Sequence, residues 1–189
     1  MKIALLGGSF DPPHNGHLLI ARQMLEFTDT DEVWFLPNYT QSPVKNTAPV
    51  ADRLAMTRLL DVPGARVSTI EIDNMLDGET VRILPFLPKE HIYSFIIGSD
   101  QLSGFTKWLD WQKLLDAMPF WVFPRTGYSN EPMQNGMKLV EHKHLITTDT
   151  SSTEVRHRIQ SGLPIDQLVL KSVASYIADH GLYTQNDVV

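Results

Sequence analysis

The sequence predicts an α/β fold in which a doubly wound parallel sheet carries a C-terminal helical extension. Short apolar runs alternate along the chain with segments of helical periodicity, and several of these runs are apolar throughout. Strands that are apolar on both faces are typical of parallel sheets that helices cover on both sides. A length of 189 residues suits one domain. We therefore expect a single domain over residues 1–189, with residues from about 150 to 189 as its helical part.

The first half of the chain opens with a short apolar strand, Lys2 to Leu6, which ends at Gly7-Gly8. A loop rich in proline, residues 11–15, leads into a helix from Gly16 to about Phe27, where apolar residues recur near helical spacing. A second apolar run predicts a strand that Pro37 closes. That strand spans 33–36, and the remaining predicted elements of this half are a polar loop at 38–49, a helix at 50–60 and an alternating strand at 66–72.

The second half contains the clearest interior strand, Ile92 to Ile97, which ends at Gly98. Further strands are expected at 120–123 and, as a possible last strand, at 145–148; helices are expected at 152–159 and 169–180. In a doubly wound sheet, ligands bind beyond the carboxyl ends of the strands, where the strand order reverses. The glycines after the first and the central strand therefore predict where the ligand site lies.

Composition limits the classes of function. The chain has no cysteine, which excludes disulfides and cysteine-based zinc sites and fits a cytoplasmic location. Its first apolar run is too short for a signal peptide or a membrane span. A formal net charge of −6 disfavours nucleic acid as a partner, because such binding depends on Lys and Arg at phosphates. We expect small-molecule ligands and no membrane partner, and the sequence leaves a homo-oligomer open.

The strongest local motif is the segment 7–17, Gly-Gly-Ser-Phe-Asp-Pro-Pro-His-Asn-Gly-His. Its glycines let the backbone approach a ligand, and the helix that follows directs N–H groups and the positive end of its dipole at the loop. His14 and His17 are three residues apart and would share one helix face, where they can donate hydrogen bonds to a phosphate. The motif is neither a dinucleotide-binding fingerprint nor a P-loop. Alone, the two histidines also fit a metal pair or surface residues.

This segment resembles the signature of the nucleotidyltransferase α/β-phosphodiesterase superfamily, whose hallmark is His/Thr-x-Gly-His. Within the superfamily, the chain most resembles bacterial nicotinate-nucleotide adenylyltransferases, over most of its length. The other matching segments are residues 95–100 (Phe-Ile-Ile-Gly-Ser-Asp) followed by Trp108, 125–128 (Arg-Thr-Gly-Tyr), 151–156 (Ser-Ser-Thr-Glu-Val-Arg) and 176–183 (Tyr-Ile-Ala-Asp-His-Gly-Leu-Tyr). The resemblance implies a Rossmann-like sheet.

The resemblance further implies a reaction in NAD biosynthesis. An adenylyl group would pass from ATP, accompanied by Mg²⁺, to nicotinic acid mononucleotide, giving deamido-NAD and pyrophosphate. The acceptor phosphate is already ionised at neutral pH, so catalysis would need positioning and charge stabilisation rather than a general base. Two alternatives stay open: a related transferase that uses CTP or another acceptor, such as nicotinamide mononucleotide or phosphopantetheine, and a nucleotide-binding regulator without turnover.

The resemblance also assigns the site. His14, His17 and Lys45 would be catalytic, and Thr80 and Trp108 would bind the acceptor. ATP would be bound by Gly7, Gly8, Ser9, Phe10, Asp100, Ser151, Ser152, Thr153 and Arg156. Without the family context, Lys45 is a solvated lysine, the Ser-Ser-Thr segment is a helix N-cap, and Trp108 and Trp111 belong to the core.

The chain departs from the family pattern in two places. The family's Pro-Pro-His-Lys is replaced by Gln41 to Asn46, which keeps Lys45 but lacks the histidine. The family's Ser-Tyr-Thr-x-Asp-Thr-Leu, near the pyridine, corresponds to Gly78 to Leu84, where only Thr80 matches. Arg82 in this segment could face the pyridine carboxylate or point to solvent from an ordinary helix. The expected acceptor therefore depends mainly on Trp108 and Thr80.

Overall fold

A single six-stranded sheet forms the centre of the molecule in the computed structural model, which describes residues 1–40 and 47–184. Every pair of neighbouring strands is parallel, and the order is β3-β2-β1-β4-β5-β6. This order is that of a doubly wound, Rossmann-like sheet, which confirms the predicted fold class. The strands are β1 (Lys2–Gly8), β2 (Glu32–Pro37), β3 (Ala65–Val67), β4 (Ile92–Gly98), β5 (Phe120–Phe123) and β6 (Met137–Leu139).

Helices connect the strands and cover the sheet. They are α1 (Asn15–Phe27), α2 (Val50–Arg58), α3 (Ile70–Asp73), α4 (Trp111–Ala117), α5 (Ser152–Gln160) and α6 (Lys171–Asp179), with 3₁₀ helices at Thr80–Phe86 and Ser99–Lys107. The longest α-helix has 13 residues, whereas a membrane span needs about 20. Within residues 1–40 and 47–184, no helix is both long and apolar enough to cross a membrane.

Two buried clusters lie on opposite faces of the sheet. In β1, Ile3 and Leu5 belong to one cluster, while Ala4 and Leu6 belong to the other. This alternation follows from the two-residue period of a strand, and burial on both sides explains why the strands are apolar throughout. A third cluster joins the C-terminal helices to α2; its members are Ala48, Met56, Val155, Val169, Val173, Ile177 and Tyr183.

One predicted strand was wrong, and another was predicted too long. Residues 145–148 form no strand, and the last strand is β6, which pairs with β5. The side-chain amide of Gln23 takes the place of a neighbouring strand: it donates to the carbonyl of Ile146 (2.9 Å) and accepts from its N–H (2.6 Å). The predicted strand 66–72 stops at Val67, and α3 follows from Ile70. Alternating apolar residues there fit a strand equally well, so periodicity alone could not place this boundary.

Candidate active site

The carboxyl ends of β1 and β4 lie side by side at the point where the strand order reverses. Two cavities open there and share Gly7, Ile96 and Gln101 as a common wall. The first cavity, of about 110 Å³, is also lined by His14, His17, Asp100, Arg125, Thr148 and Thr150. The second cavity, of about 350 Å³, is also lined by Gly8, Asn38, Glu71, Glu79, Thr80, Lys107 and Trp108. Two adjoining cavities at the switch point can hold two substrates end to end.

The backbone at the start of α1 fixes the proton of both imidazoles. His14 is the N-cap, and its Nδ1 accepts a hydrogen bond from the N–H of Gly16 (3.2 Å). Nδ1 of His17 accepts from the N–H of His14 (3.1 Å), which completes a reciprocal capping box. An accepting Nδ1 in a neutral imidazole leaves the proton on Nε2. Each histidine therefore offers an Nε2–H donor.

Burial keeps both imidazoles neutral. It lowers the pKa of His17 to about 3, with a further contribution from the charge of Arg125. Burial also lowers the pKa of His14 far below its ordinary value, helped by His17 and then by Arg125. The two rings lie 3.8 Å apart between centroids. At neutral pH the pair can thus act as hydrogen-bond donors and does not carry the charge of an imidazolium.

The loop before α1 is shaped by close packing. A Cβ at Gly7 would lie 2.9 Å from Cζ of Phe95, so a larger residue there would require the Phe95 ring to shift. Phe10 has a φ of +49°, is 1% exposed, and packs against His17 with 4.6 Å between ring centroids. Phe10 was predicted to bind ATP; its buried ring limits any such contact to its backbone. Its side chain instead supports the ring of His17.

A buried arginine, Arg53, hydrogen-bonds to the same loop. Arg53 of α2 is 1% exposed, and its Nη1 donates to the carbonyl of Ser9 (2.7 Å) and to Oδ1 of Asn38 (2.9 Å). Its Nη2 donates to the carbonyl of Asn38 (2.8 Å). Arg53 thus ties the loop after β1 to the end of β2. Sequence reasoning missed it, since a single arginine in a helix carries no signal of burial.

Asp100 and Arg125 meet in the first cavity. Oδ2 of Asp100 lies 3.4 Å from Nη1 of Arg125, while its buried Oδ1 has no hydrogen-bond partner among the described residues. The N–H of Arg125 donates to Oγ of Ser99 (3.0 Å), and its Nη2 to the carbonyl of Thr150 (3.5 Å). Asp100 was among the predicted residues, whereas Arg125 had been assigned no role. Its place directly after β5, like that of Asp100 after β4, was the signal available.

The predicted phosphate segment at the start of α5 contacts the His14 loop. Oγ of Ser151 caps α5 by accepting from the N–H of Glu154 (3.2 Å), and Oγ of Ser152 donates to the carbonyl of Pro12 (2.8 Å). Arg156 donates to the carbonyl of Asp11 (2.6 Å) and to Oγ1 of Thr153 (3.3 Å). These residues stand beside the first cavity without lining it. Their contact with ATP stays a prediction.

The second cavity brings the two predicted acceptor residues together. Thr80 and Trp108 both line it, and the indole of Trp108 packs edge-on against Phe95 with 6.4 Å between centroids. Trp111 does not line this cavity; both tryptophans are half-buried and pack against Phe105, at 5.3 Å for Trp108 and 6.1 Å for Trp111 between ring centroids. Arg82 pairs with Asp77 (3.6 Å) at the surface and does not line the cavity. Of the two alternatives for Arg82, the solvent-facing one agrees with this placement.

Glu71 is an unexpected member of the second cavity. It is 7% exposed, and burial together with the nearby charge of Asp77 raises its pKa to about 7.

Lys45 lies outside the described residues. Across the part of the chain that the structure describes, no three His, Cys, Asp or Glu side chains are grouped closely enough to hold a metal ion.

Comparison with known proteins places this site in a family. A family model described as cytidylyltransferase-like matches residues 5–158. A probable nicotinate-nucleotide adenylyltransferase of Halalkalibacterium halodurans is 36% identical over 197 residues, which cover 98% of this chain and 93% of the relative. A protein of the same name from Bacillus pumilus is 34% identical, covering 96% of this chain and 98% of the relative.

A solved structure shares the fold. The Plasmodium falciparum nicotinic acid mononucleotide adenylyltransferase complexed with NaAD superposes with a TM-score of 0.80 at 18% identity, over 96% of this chain and 97% of that one. At this low sequence identity, the structural similarity supports the fold alone. The two bacterial relatives and the family model support the family. The chain belongs to the nicotinate-nucleotide adenylyltransferases, which are nucleotidyltransferases.

Proposed function

We propose that this enzyme joins ATP and nicotinic acid mononucleotide to give deamido-NAD and pyrophosphate in NAD biosynthesis. The observation that carries the proposal is the pair of neutral imidazoles, His14 and His17, which line the first cavity beside the wall that it shares with the second. An Nε2–H donor at that place faces the region where the ends of two substrates would meet. Family membership supports the same reaction.

In this reaction a 5′-phosphate oxygen of the acceptor attacks the α-phosphorus of ATP. The new O–P bond forms as the bond to the bridging oxygen breaks, and pyrophosphate leaves with the electron pair. The attacking phosphate is ionised at neutral pH, so the two histidines need not remove a proton. Their Nε2–H groups stabilise the charge that grows on the α-phosphoryl oxygens, and the N-terminus of α1 adds its dipole. Lys45 would add a cation there.

ATP occupies the first cavity in this proposal. The carboxylate of Asp100, which lines this cavity, would accept a hydrogen bond from a ribose hydroxyl, and Arg125 brings a positive charge to the same wall. The backbone of Gly7 to Phe10 and the start of α5 lie next to this cavity, where the Ser-Ser-Thr hydroxyls and Arg156 would contact the phosphates. The C-terminal part from about residue 150 thereby completes the ATP site.

Mg²⁺ would arrive with ATP, bound to the phosphate oxygens, since substrate phosphates commonly supply part of its coordination. Within residues 1–40 and 47–184, no three His, Cys, Asp or Glu side chains are grouped closely enough to hold an ion. The carboxylate of Asp11, beside the His14 loop, already accepts from Tyr183 and Ala48. We assign the protein no step through the metal, and we place the reaction in the cytoplasm.

The acceptor occupies the second cavity, where Trp108 offers an apolar face to the pyridine ring. The amide, nicotinamide mononucleotide, is a second candidate because Glu71 and Glu79 line this cavity. A carboxylate would repel the nicotinate carboxyl group and could accept from an amide. Glu71 is partly protonated near neutral pH, which reduces that repulsion. We therefore keep the acid as the preferred acceptor.

The test is the steady-state kcat/KM for pyrophosphate release with ATP and each mononucleotide. We expect the acid to be preferred by about 10²-fold or more, as in sites where hydrogen bonds select the substrate. Parallel assays with CTP and with phosphopantetheine should give little turnover. Equal use of the amide would refute the acceptor assignment and leave adenylyl transfer intact. Binding of ATP without pyrophosphate release in any assay would indicate a regulator.

A further inference from the structure

Asp11 is a buried carboxylate three residues before His14. It is 1% exposed, and its Oδ1 accepts hydrogen bonds from the N–H of Ala48 (2.8 Å) and from the hydroxyl of Tyr183 (2.8 Å). Its Oδ2 lies 3.7 Å from Nη1 of Arg156. A buried charge is tolerated only where such partners surround it. The partners come from three distant parts of the chain, so Asp11 joins them at the histidine loop.

Tyr183 reaches this position at the far end of the described chain in an uncommon backbone conformation. Its φ is +65°, which a bulky residue rarely adopts, and such conformations persist where surrounding contacts enforce them. The ring is 6% exposed within the C-terminal cluster. Burial and the charge of Asp11 raise the pKa of Tyr183, so the hydroxyl stays protonated and donates. The backbone conformation and the buried ring thus hold the hydroxyl of Tyr183 in position to donate to Asp11.

The C-terminal part also holds the backbone on both sides of His14. Ser152 donates to the carbonyl of Pro12 (2.8 Å), and the N–H of Asn15 donates to the carbonyl of Leu168 (2.8 Å). Together with Asp11, these contacts leave the peptide that carries His14 little freedom. The proton on Nε2 of His17 depends on that peptide, since its N–H is the donor to Nδ1 of His17.

We propose that Tyr183 is a positioning residue for adenylyl transfer: through Asp11, its hydroxyl fixes the loop that orients His14 and His17 toward the transferred phosphate. The inference rests on the proposed function, because turnover is its kinetic readout. Donors must be aimed to within a fraction of an ångström, and a displacement of about 1 Å can lower a rate by about 10²-fold. Tyr183 itself touches neither cavity.

The test is Tyr183→Phe, which removes one hydroxyl and keeps the ring. We expect kcat to fall about 10-fold while KM for both substrates stays within about two-fold, since the lost contact orients catalytic groups and binds no substrate. The matched control is Tyr176→Phe. The hydroxyl of Tyr176 on α6 also donates to a carboxylate, Oδ1 of Asp52 (2.9 Å), but away from the histidine loop. This control should keep the wild-type kcat.

A spectroscopic measurement separates positioning from general stability. The ¹⁵N resonances of the imidazole nitrogens report which nitrogen carries the proton and how strongly Nδ1 accepts. We expect Tyr183→Phe to shift the Nδ1 resonances of His14 and His17 and Tyr176→Phe to leave them unchanged, at a temperature where circular dichroism shows both variants folded. Wild-type kcat in Tyr183→Phe, or unshifted imidazole resonances, would overturn the proposal. If the wild type transfers no adenylyl group, the proposed function fails, and the resonances still decide the role of Tyr183.

Discussion

His17→Asn and His17→Gln separate the two hydrogen bonds of His17. In the wild type, Nδ1 of His17 accepts from the N–H of His14 at 3.1 Å. The amide oxygen of an Asn at this position would lie near Nδ1 and could still accept this hydrogen bond, but Asn offers no donor at the position of Nε2. Gln extends an amide nitrogen toward that position and loses the capping contact. The pair of variants therefore distinguishes the donor to the phosphate from the cap of α1.

The expected magnitudes differ for the two contacts. Removal of one preorganised donor to a developing negative charge costs about 10²–10³ in kcat, or about 2.7–4 kcal/mol. Loss of a capping hydrogen bond costs about 1 kcal/mol of stability, which lowers Tm by about 2–4 °C in a chain of this size. His17→Asn should thus lose most of its kcat at a nearly unchanged Tm. His17→Gln should keep more activity and melt earlier.

The assay is pyrophosphate release at saturating ATP and acceptor, with thermal unfolding followed by circular dichroism and ATP affinity followed by calorimetry. ATP should bind both variants with similar affinity, because the lost donor acts mainly in the transition state. A near-normal kcat in His17→Asn would refute the role of the Nε2–H donor. A large loss of Tm in His17→Asn would instead show that the amide oxygen does not replace Nδ1.

Two further predictions concern the acceptor site and acid stability. Trp108→Ala should raise KM for the mononucleotide about 10-fold and leave KM for ATP nearly unchanged, since it removes a stacking face. Trp111 packs beside Phe105 but does not line the cavity, so Trp111→Ala should leave KM for the mononucleotide unchanged, and the reverse pattern would contradict the assignment. Between pH 6.5 and 4.5 the unfolded state should bind protons at His14 and His17, whose folded pKa values are depressed, while the folded state keeps the proton of Glu71, whose pKa is raised. The two histidine protons bind only to the unfolded state and favour unfolding, whereas the Glu71 proton favours the folded state. The unfolded state therefore binds a net of about one extra proton, and the free energy of unfolding should fall by about 1.4 kcal/mol per pH unit as the pH falls. Urea titrations over this range measure the slope, and unchanged or rising stability would count against the neutral imidazoles.

The parallel sheet could be predicted because its central strands, β1 and β4, carry apolar residues on both faces and end at glycines. Where a short segment is amphipathic, the same reasoning fails: Arg66 to Ile72 alternates like a strand, yet the chain turns into α3 after Val67. The run at 145–148 resembles a strand for a related reason. Its hydrogen-bonding partner is the side chain of Gln23, which comes from a helix 123 residues earlier in the chain, and no local pattern records such a contact.

The site shows a similar division. Residues in compact motifs, such as His14, His17 and Asp100, could be found because their spacing and their place after a strand carry information. Arg53, Asp11 and Tyr183 act through burial and through contacts between distant segments, which composition and periodicity do not encode. Asp11 lay within the motif but received no role, since its three partners are known only from the folded chain.

The shared wall of the two cavities has a consequence for how this enzyme could diversify. Gly7, Ile96 and Gln101 line both cavities, whereas the rest of each cavity is built from separate parts of the chain. The first cavity depends on the start of α1 and the end of β5, and the second on α3 and the residues up to Trp108. If the proposed placement of the two substrates holds, substitutions between residues 70 and 84 should change the accepted mononucleotide and leave the adenylylating residues in place. The segment from Gly78 to Leu84, where this chain departs from the family pattern, contributes Gly78, Glu79 and Thr80 to the second cavity and no residue to the first.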